Sequence, residues 1–359
     1  MSNKKSTRKR IFLIDGYAML YRAHFAMIRN PLINSKGMHT SALFGFINQV
    51  LKLIRQEKPD YLMAAFDSSK KTFRHELYPE YKATREKMPE EMQYQLPYLW
   101  KLLKAMRIPT LEQPGFEADD IIGTLAKQAD ESELDVYIVS GDKDFMQLVN
   151  EHIFLYSPSG RKAELKVYDS DAVEEKWGVP PEKIIDLLGL MGDSSDNVPG
   201  VMGVGKKTAV KLLKEYGTLE SALDHADAVK NKRAREGLQN GREKAVLSQE
   251  LVTIKTNMDL EINYTEMTTN GFDLNKLDEL FRDLEFQVLQ TQLSAFDGKV
   301  LTHEESPKKN YRALLDLIEI QEFVNAVKEG EWLSFDLETT SIEPMRCDIV
   351  GISFSIKPD

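Results

Sequence analysis

Ile11-Phe12-Leu13-Ile14-Asp15-Gly16 is an apolar run of strand length that stops on an aspartate, and the same pattern recurs twice more. Tyr61-Leu62-Met63-Ala64-Ala65-Phe66 ends in Asp67, and Val136-Tyr137-Ile138-Val139 runs into Ser140-Gly141-Asp142-Lys143-Asp144. Between these runs, Leu43, Phe46, Ile47, Val50, Leu51 and Ile54 recur at the spacing of one helical face, as do Ile122, Leu125, Ala126 and Ala129. Strands that alternate with amphipathic helices predict an α/β fold, a mostly parallel sheet with helices on both faces. Ligands of such sheets bind outside the carboxyl ends of the strands. The three strand-end aspartates are therefore expected to meet.

Further along, the pattern turns helical from about residue 170, with glycine-rich turns, and shows no strand until Trp332-Leu333-Ser334-Phe335. An α-helical second part is expected there. Residues 297–311, with Gly298, Pro307 and Lys308-Lys309, have the composition of a linker. Beyond it lie a helical pattern over 314–327 and two strand-like runs around Phe335 and Ile349. One helix and two strands bury too little to form a core. The expected organisation is a basic leader (1–10), an α/β core (11–170), a helical part (171–296), a linker (297–311) and the incomplete start of another domain (312–359), in a piece of a longer protein.

Of the 359 residues 42% are hydrophobic and 29% charged, which excludes a disordered chain. No apolar run nears the roughly 18 residues of a membrane span, and the polar start lacks a signal core, so a cytoplasmic location is expected. The single cysteine, Cys347, rules out an intrachain disulfide and a cysteine-rich zinc site. A net charge of -10 ordinarily argues against nucleic acid. Nine carboxylates, however, fall where one site would gather them, and without those nine, 48 acidic residues face 47 basic ones. The cations also cluster, with Lys70, Lys71, Arg74, Lys82, Arg85 and Lys87 inside residues 70–87.

Those nine carboxylates form five clusters: Asp15; Asp67; Glu117-Ala118-Asp119-Asp120; Asp142-Lys143-Asp144; and Asp193-Ser194-Ser195-Asp196. Glu117 and Asp120, like Asp193 and Asp196, are three apart and share a helical face. Asp119 fits that face only if Glu117 lies just outside the helix. Any one aspartate after a strand has an ordinary use as a helix cap or turn residue. Five clusters at element ends repel one another unless cations sit among them. Oxygen ligands select Mg²⁺ or Mn²⁺ over zinc, and two such ions clamp an in-line phosphoryl displacement.

Two features point to nucleic acid. Residues 73–85 interleave cations with Phe73, Tyr78 and Tyr81, as stacking and phosphate contact require, although a solvated amphipathic helix would use the same residues. Gly200-Val201-Met202-Gly203-Val204-Gly205-Lys206-Lys207-Thr208 opens a helix with Ala209, Leu212, Leu213 and Tyr216 on one face, a plausible phosphate clamp. It nearly matches a P-loop, but Lys207 stands where the Mg²⁺-binding hydroxyl belongs and no strand precedes it. A helix-hairpin-helix that grips a DNA backbone fits better.

With Ile14-Asp15-Gly16, Tyr21-Arg22, Phe66-Asp67, Phe73-Arg74-His75-Glu76, Tyr81-Lys82, Gly115-Phe116-Glu117-Ala118-Asp119-Asp120, Asp142-Lys143-Asp144, Gly192-Asp193-Ser194-Ser195-Asp196-Asn197 and the glycine hairpin in order, roughly residues 1–295 resemble the 5′-nuclease domain of the bacterial DNA polymerase I family, a flap endonuclease family. The remainder resembles the opening of that family's 3′–5′ exonuclease domain, in which Asp336 and Glu338 would be metal ligands. The resemblance implies a PIN-like core and a structure-selective 5′–3′ exonuclease and flap endonuclease. It would act on nicked, flapped or primer-bearing DNA during replication and repair, leaving a 5′-phosphate and a 3′-hydroxyl. It further implies that Asp15, Asp67, Glu117, Asp119, Asp120, Asp142, Asp144, Asp193 and Asp196 hold two Mg²⁺ or Mn²⁺ ions. By the same resemblance Arg22, Arg74, Lys82 and Arg85 would hold the scissile phosphate or thread the 5′ strand; because Lys82 lies outside the carboxylate clusters in sequence, it is expected to reach the phosphate from the side opposite the metals. Tyr81, Gly200, Gly203, Gly205, Lys206, Lys207 and Thr208 would bind DNA, and main-chain oxygens of residues 203–208 would bind K⁺. A monomer with no small-molecule cofactor is expected. Two rivals use part of the pattern: a metal-dependent phosphatase or receiver domain, which needs no basic stretch, and a silent DNA-binding module, which needs no nine carboxylates.

Overall fold

The computed structural model describes residues 8–159, 164–269, 271–297, 313–314, 316–327, 333–341 and 346–355. Most of the expected leader and nearly all of the expected linker lie outside the described residues. The chain divides into two compact units, residues 1–293 and 294–359.

Unit one is built on a six-stranded sheet of β1 (Arg10–Asp15), β2 (Tyr61–Ala65), β3 (Thr110–Leu111), β4 (Asp135–Val139), β5 (Ile153–Ser159) and β6 (Glu164–Tyr168), in the order β3-β2-β1-β4-β5-β6. All neighbours are parallel except β5 and β6. Ile11 to Ile14 are fully buried, as a central parallel strand covered on both faces requires. Asp15 lies opposite Ala65, and Ile14 opposite Val139. This register brings Asp15, Asp67 and the loop from Ser140 to one end of the sheet. The helix Ser41–Glu57 buries the predicted stripe from Leu43 to Ile54, and the helix Ala118–Glu131 buries Ile122, Leu125, Ala126 and Ala129. The antiparallel pair was not expected, because β5 has no terminal aspartate and runs into Pro158.

The helical part is shorter than the expected 171–296. Helices Ile184–Met191 and Arg242–Val252 pack together there, but the chain then returns to the sheet. The amide of Leu62 donates to the Met267 carbonyl at 2.8 Å, and Tyr61 bridges Thr268. The helix Leu274–Asp283 packs on the helix Leu96–Ala105, and the rings of Phe44 and Phe286 meet edge to face at 5.5 Å. Helical periodicity alone does not reveal which surface a helix will cover. Among the described residues, no helix is long and apolar enough to cross a membrane.

In unit two the helix Leu317–Ala326 accompanies an antiparallel hairpin of β7 (Ser334–Thr339) and β8 (Ile349–Ser355). Asp336 and Glu338 share one face of β7, and both are exposed.

One contact in unit one positions the acidic loop. The helix Ile184–Met191 ends at Gly192 (φ 71°), and Gly200 (φ 61°) packs backbone against backbone upon it. A Cβ on Gly200 would lie 2.4 Å from the Gly192 nitrogen. Between the two glycines, Asp193 and Val198 exchange amide bonds of 3.0 and 2.7 Å, closing the loop that carries Asp193 and Asp196. Both positions require positive φ and a missing side chain. Gly200→Ala is therefore expected to lose about 2–4 kcal/mol of stability. Urea unfolding measures it, and a loss under about 0.5 kcal/mol would show that this crossing relaxes freely.

Candidate active site

The site starts at the carboxyl ends of β1, β2 and β4. Asp15 caps the helix Gly16–Ala26 by accepting from the Ala18 amide at 3.2 Å, and it accepts from the Ser140 hydroxyl at 2.8 Å. Burial, with Asp67 and Asp142 close by, pushes its carboxyl up to about 7 against the bond from Ser140. Asp67 accepts from the Ala118 amide at 2.7 Å, which ties the end of β2 to the start of the helix Ala118–Glu131. Burial first, then Asp142 and Asp15, hold Asp119 well above the usual carboxylate range. Asp142 accepts from the Asp144 amide at 2.9 Å. Asp144 Oδ1 is buried without a hydrogen-bond partner, and burial with Asp142 nearby raises this carboxyl to about 8.

The helical part supplies the other side. Asp193 accepts from Lys143 Nζ at 2.6 Å and from the Ser195 hydroxyl at 2.6 Å. Burial would raise its pKa, but these bonds outweigh it and leave Asp193 below the usual range. Asp196 accepts from Arg85 Nε at 3.1 Å and from the Tyr81 hydroxyl at 3.2 Å. Lys82 Nζ donates to Glu117 at 2.7 Å and lies 3.7 Å from Asp196. Burial opposes its charge, yet Glu117 and Asp196 more than compensate and raise its pKa. Beside this cluster a cleft of about 400 Å³ is lined by Arg22, Gln49, Arg85, Ser140, Asp142, Lys143 and Ser195, among others.

Several expectations change. Glu117 is the N-cap of its helix, lying just outside it, and this lets Asp119 join the acidic group. Asp120 is fully buried instead, held bidentately by Arg74 at 2.7 and 2.8 Å and accepting from the Glu117 and Lys255 amides. Arg74, 2% exposed, spends its remaining donors on the carbonyls of Leu251 and Thr253 and approaches Glu117 at 3.4 Å. All its N–H groups face protein, so Arg74 cannot hold a phosphate, and Asp120 is a framework anchor rather than an ion ligand. Tyr81 is buried with its hydroxyl on Glu117 and Asp196, and so offers no face to a base. Lys82 lies among the carboxylates, not across from them. Lys143 and Ser140 were missed as site residues. Lys143's place between two aspartates was the available signal.

Gly200 packs on Gly192 at the base of the loop that carries Asp193 and Asp196, and its amide donates to the Ser248 hydroxyl at 2.9 Å. Gly203 (φ 82°) lies against Arg233, and Gly205 caps the helix Lys206–Tyr216. The Thr208 amide donates to the Gly205 carbonyl at 2.9 Å. Lys206 folds back to the Lys176 carbonyl and lies 4.1 Å from the centre of the Trp177 ring, while Lys207 is exposed.

The donor set suits a hard divalent cation, being all oxygen with Asp144 Oδ1 buried and without a hydrogen bond. Among the described residues, no three acidic or histidine side chains stand close enough to cage an ion as they are placed. Four of the carboxylates, Glu117, Asp196, Asp144 and Asp193, are held by the ammonium groups of Lys82 and Lys143.

Residues 10–178 match the family model "5′-3′ exonuclease, N-terminal resolvase-like domain", and residues 179–275 match "5′-3′ exonuclease, C-terminal SAM fold". A 5′-3′ exonuclease of Aquifex aeolicus is 39% identical over 281 residues, which make up 78% of this chain and 94% of that protein. The chain belongs to the 5′–3′ exonuclease family. The DNA polymerase I of Bacillus caldotenax is 43% identical over 281 residues, 78% of this chain and 32% of that one. The chain thus spans about a third of the length of such relatives. Among solved structures, T5 5′-exonuclease with zinc ions bound shares the fold at TM-score 0.59 and 21% identity, covering 77% of this chain and 99% of that one. The catalytic core of Rad2 with a DNA substrate does so at 0.52 and 17%, covering 79% and 92%.

Two outcomes follow from the geometry. Arg74→Met strands Asp120 as a buried charge and is expected to cost about 3–5 kcal/mol by chemical unfolding, with Arg74→Met/Asp120→Leu recovering part of it. Asp15 and Asp144 bind their protons more tightly folded than unfolded. Their contribution to stability is thus full below about pH 4 and is lost as pH rises through about 7 to 8. In EDTA the melting temperature should fall between pH 5 and 8, and Asp15→Asn should flatten that slope. A slope equally steep in the variant counts against the assignment.

Proposed function

We propose that the chain cleaves phosphodiesters of nicked, 5′-flapped or primer-bearing DNA in the 5′-to-3′ sense, using two Mg²⁺ or Mn²⁺ ions. The observation that carries this reading is the convergence of Asp15, Asp67, Glu117, Asp119, Asp142, Asp144, Asp193 and Asp196 beside a cleft that also presents Arg22, Arg85 and Lys143. Divalent ions bound there would polarise the phosphate and stabilise the attacking and leaving oxygens. T5 5′-exonuclease with its divalent zinc ions and Rad2 with its DNA substrate support a divalent cofactor and a DNA substrate.

The chain's own residues set position and charge. Arg22 and Arg85 line the cleft where a phosphate backbone would lie. Lys82, held by Glu117, adds positive charge where negative charge develops on the phosphate. The hairpin around Gly203 grips duplex backbone without reading sequence, with K⁺ at its main-chain oxygens. The active form is a monomer. A mostly buried acidic cluster beside a cationic cleft favours an extended polyanion over a small phosphate monoester.

Cleavage of a 5′-flapped nicked duplex in Mg²⁺, its loss in EDTA and the absence of turnover on a small phosphate monoester test the proposal. The reverse preference would refute it. Asp142→Ala should abolish cleavage while the fold persists, because removing one of several like charges relieves repulsion. Lys82→Ala should slow single-turnover cleavage about 10²–10³-fold with little change in duplex affinity measured in Ca²⁺. Equal losses in rate and affinity would make Lys82 an ordinary backbone contact.

A further inference from the structure

The acidic cluster is divided by its cations. Lys82 Nζ serves Glu117 and Asp196, at 2.7 and 3.7 Å. Lys143 Nζ serves Asp193 and Asp144, at 2.6 and 3.5 Å. Among the described residues, the remaining carboxylates, Asp15, Asp67, Asp119 and Asp142, have no ammonium at salt-bridge distance. Lys143 differs from the other cations of the cleft in its origin. It projects from the loop after β4, between Asp142 and Asp144, and crosses to a loop of the helical part.

We propose that Lys143 is a tethered counter-cation for the Asp144–Asp193 half of the cluster, so that a divalent ion entering that half must displace its ammonium. This rests on the divalent-metal reading above. A charge-assisted bond of 2.6 Å between partly buried groups is worth keeping, and an incoming ion must do better than that bond before it gains anything. Asp144 Oδ1, buried and without a hydrogen bond, has only the Lys143 ammonium beside it at 3.5 Å, so it is the oxygen freed when that ammonium leaves. The lysine-free group carries mutual repulsion relieved by the Ser140 hydroxyl and backbone amides but by no ammonium in contact, and it therefore takes its ion first and more tightly. Lys143 makes ion binding stepwise and holds the acidic loop on the sheet until the second ion arrives. Once displaced, its ammonium is free to turn into the cleft it already lines, towards a bound phosphate.

Calorimetric titration of the whole chain with Ca²⁺ alone tests this, together with melting curves in EDTA. The native chain is expected to show a tighter and a weaker phase. Lys143→Met should tighten the weaker phase by roughly tenfold, leave the tighter one nearly unchanged and lower the melting temperature in EDTA. Lys143→Gln, neutral but able to bond Asp193, should behave alike and serves if the Met variant folds poorly. Lys143→Arg should behave like the native chain. An unchanged or weakened second phase in the neutral variants overturns the proposal. So does equal tightening of both phases, which is what a general loss of positive charge would produce. A native chain that binds no Ca²⁺ or Mn²⁺ overturns the metal reading itself, and this inference with it.

Discussion

The buried pairing of Arg74 with Asp120 is the constraint on which the rest of the site depends. Asp120 sits in the first turn of the helix Ala118–Glu131 and accepts the amide of Glu117, which fixes where that N-cap points. Arg74 carries the same contact across to the carbonyls of Leu251 and Thr253, where the helical part ends. A guanidinium is suited to this because its planar fork can satisfy a carboxylate and two carbonyls at once, whereas an ammonium could not match that geometry. The desolvation of both charges is costly, and the pair persists because nearly every donor and acceptor is filled. Through it, the start of one helix and the end of another part of the chain are held in one frame, with Glu117, Tyr81 and Lys82 arranged around it.

The acidic cluster works against that frame. Asp15, Asp119 and Asp144 all have raised pKa values, with burial as the first cause and neighbouring carboxylates adding to it. Such groups would loosen the ends of β1 and β4 if the sheet were not otherwise sound. The fully buried run Ile11 to Ile14 and the register of β1 with both β2 and β4 supply that soundness. The strain of function is thereby confined to loop ends, and the strands beneath remain ordinary.

Much of this was legible in the sequence because period and position coincide. Apolar runs ending on aspartate fixed the parallel core, and the helical stripes at Leu43 and Ile122 were found buried as expected. What could not be read has a common cause. The role of Arg74 depends on partners 46 and 177 residues away, and no local pattern distinguishes a cation facing solvent from one sealed against Asp120. Tyr81 looked like a stacking surface for the same reason. The return of the chain to β2 after Thr253, and the antiparallel β5–β6 pair, are tertiary choices that helical or strand periodicity leaves open. Lys143 was visible between its aspartates, but its partner Asp193 is 50 residues on.

The back-to-back glycines 192 and 200 have a consequence for how this protein can evolve. Asp193 and Asp196 stand on the far side of the boundary between the two family models, at 178 and 179, from every other carboxylate of the cluster. The loop that brings them across is closed by the same Gly200 that opens the hairpin. The helical part is therefore not an interchangeable attachment to a self-sufficient core. Exchange between relatives at that boundary would carry away two acidic side chains together with the hairpin, so the two halves are bound to diverge as one inherited piece.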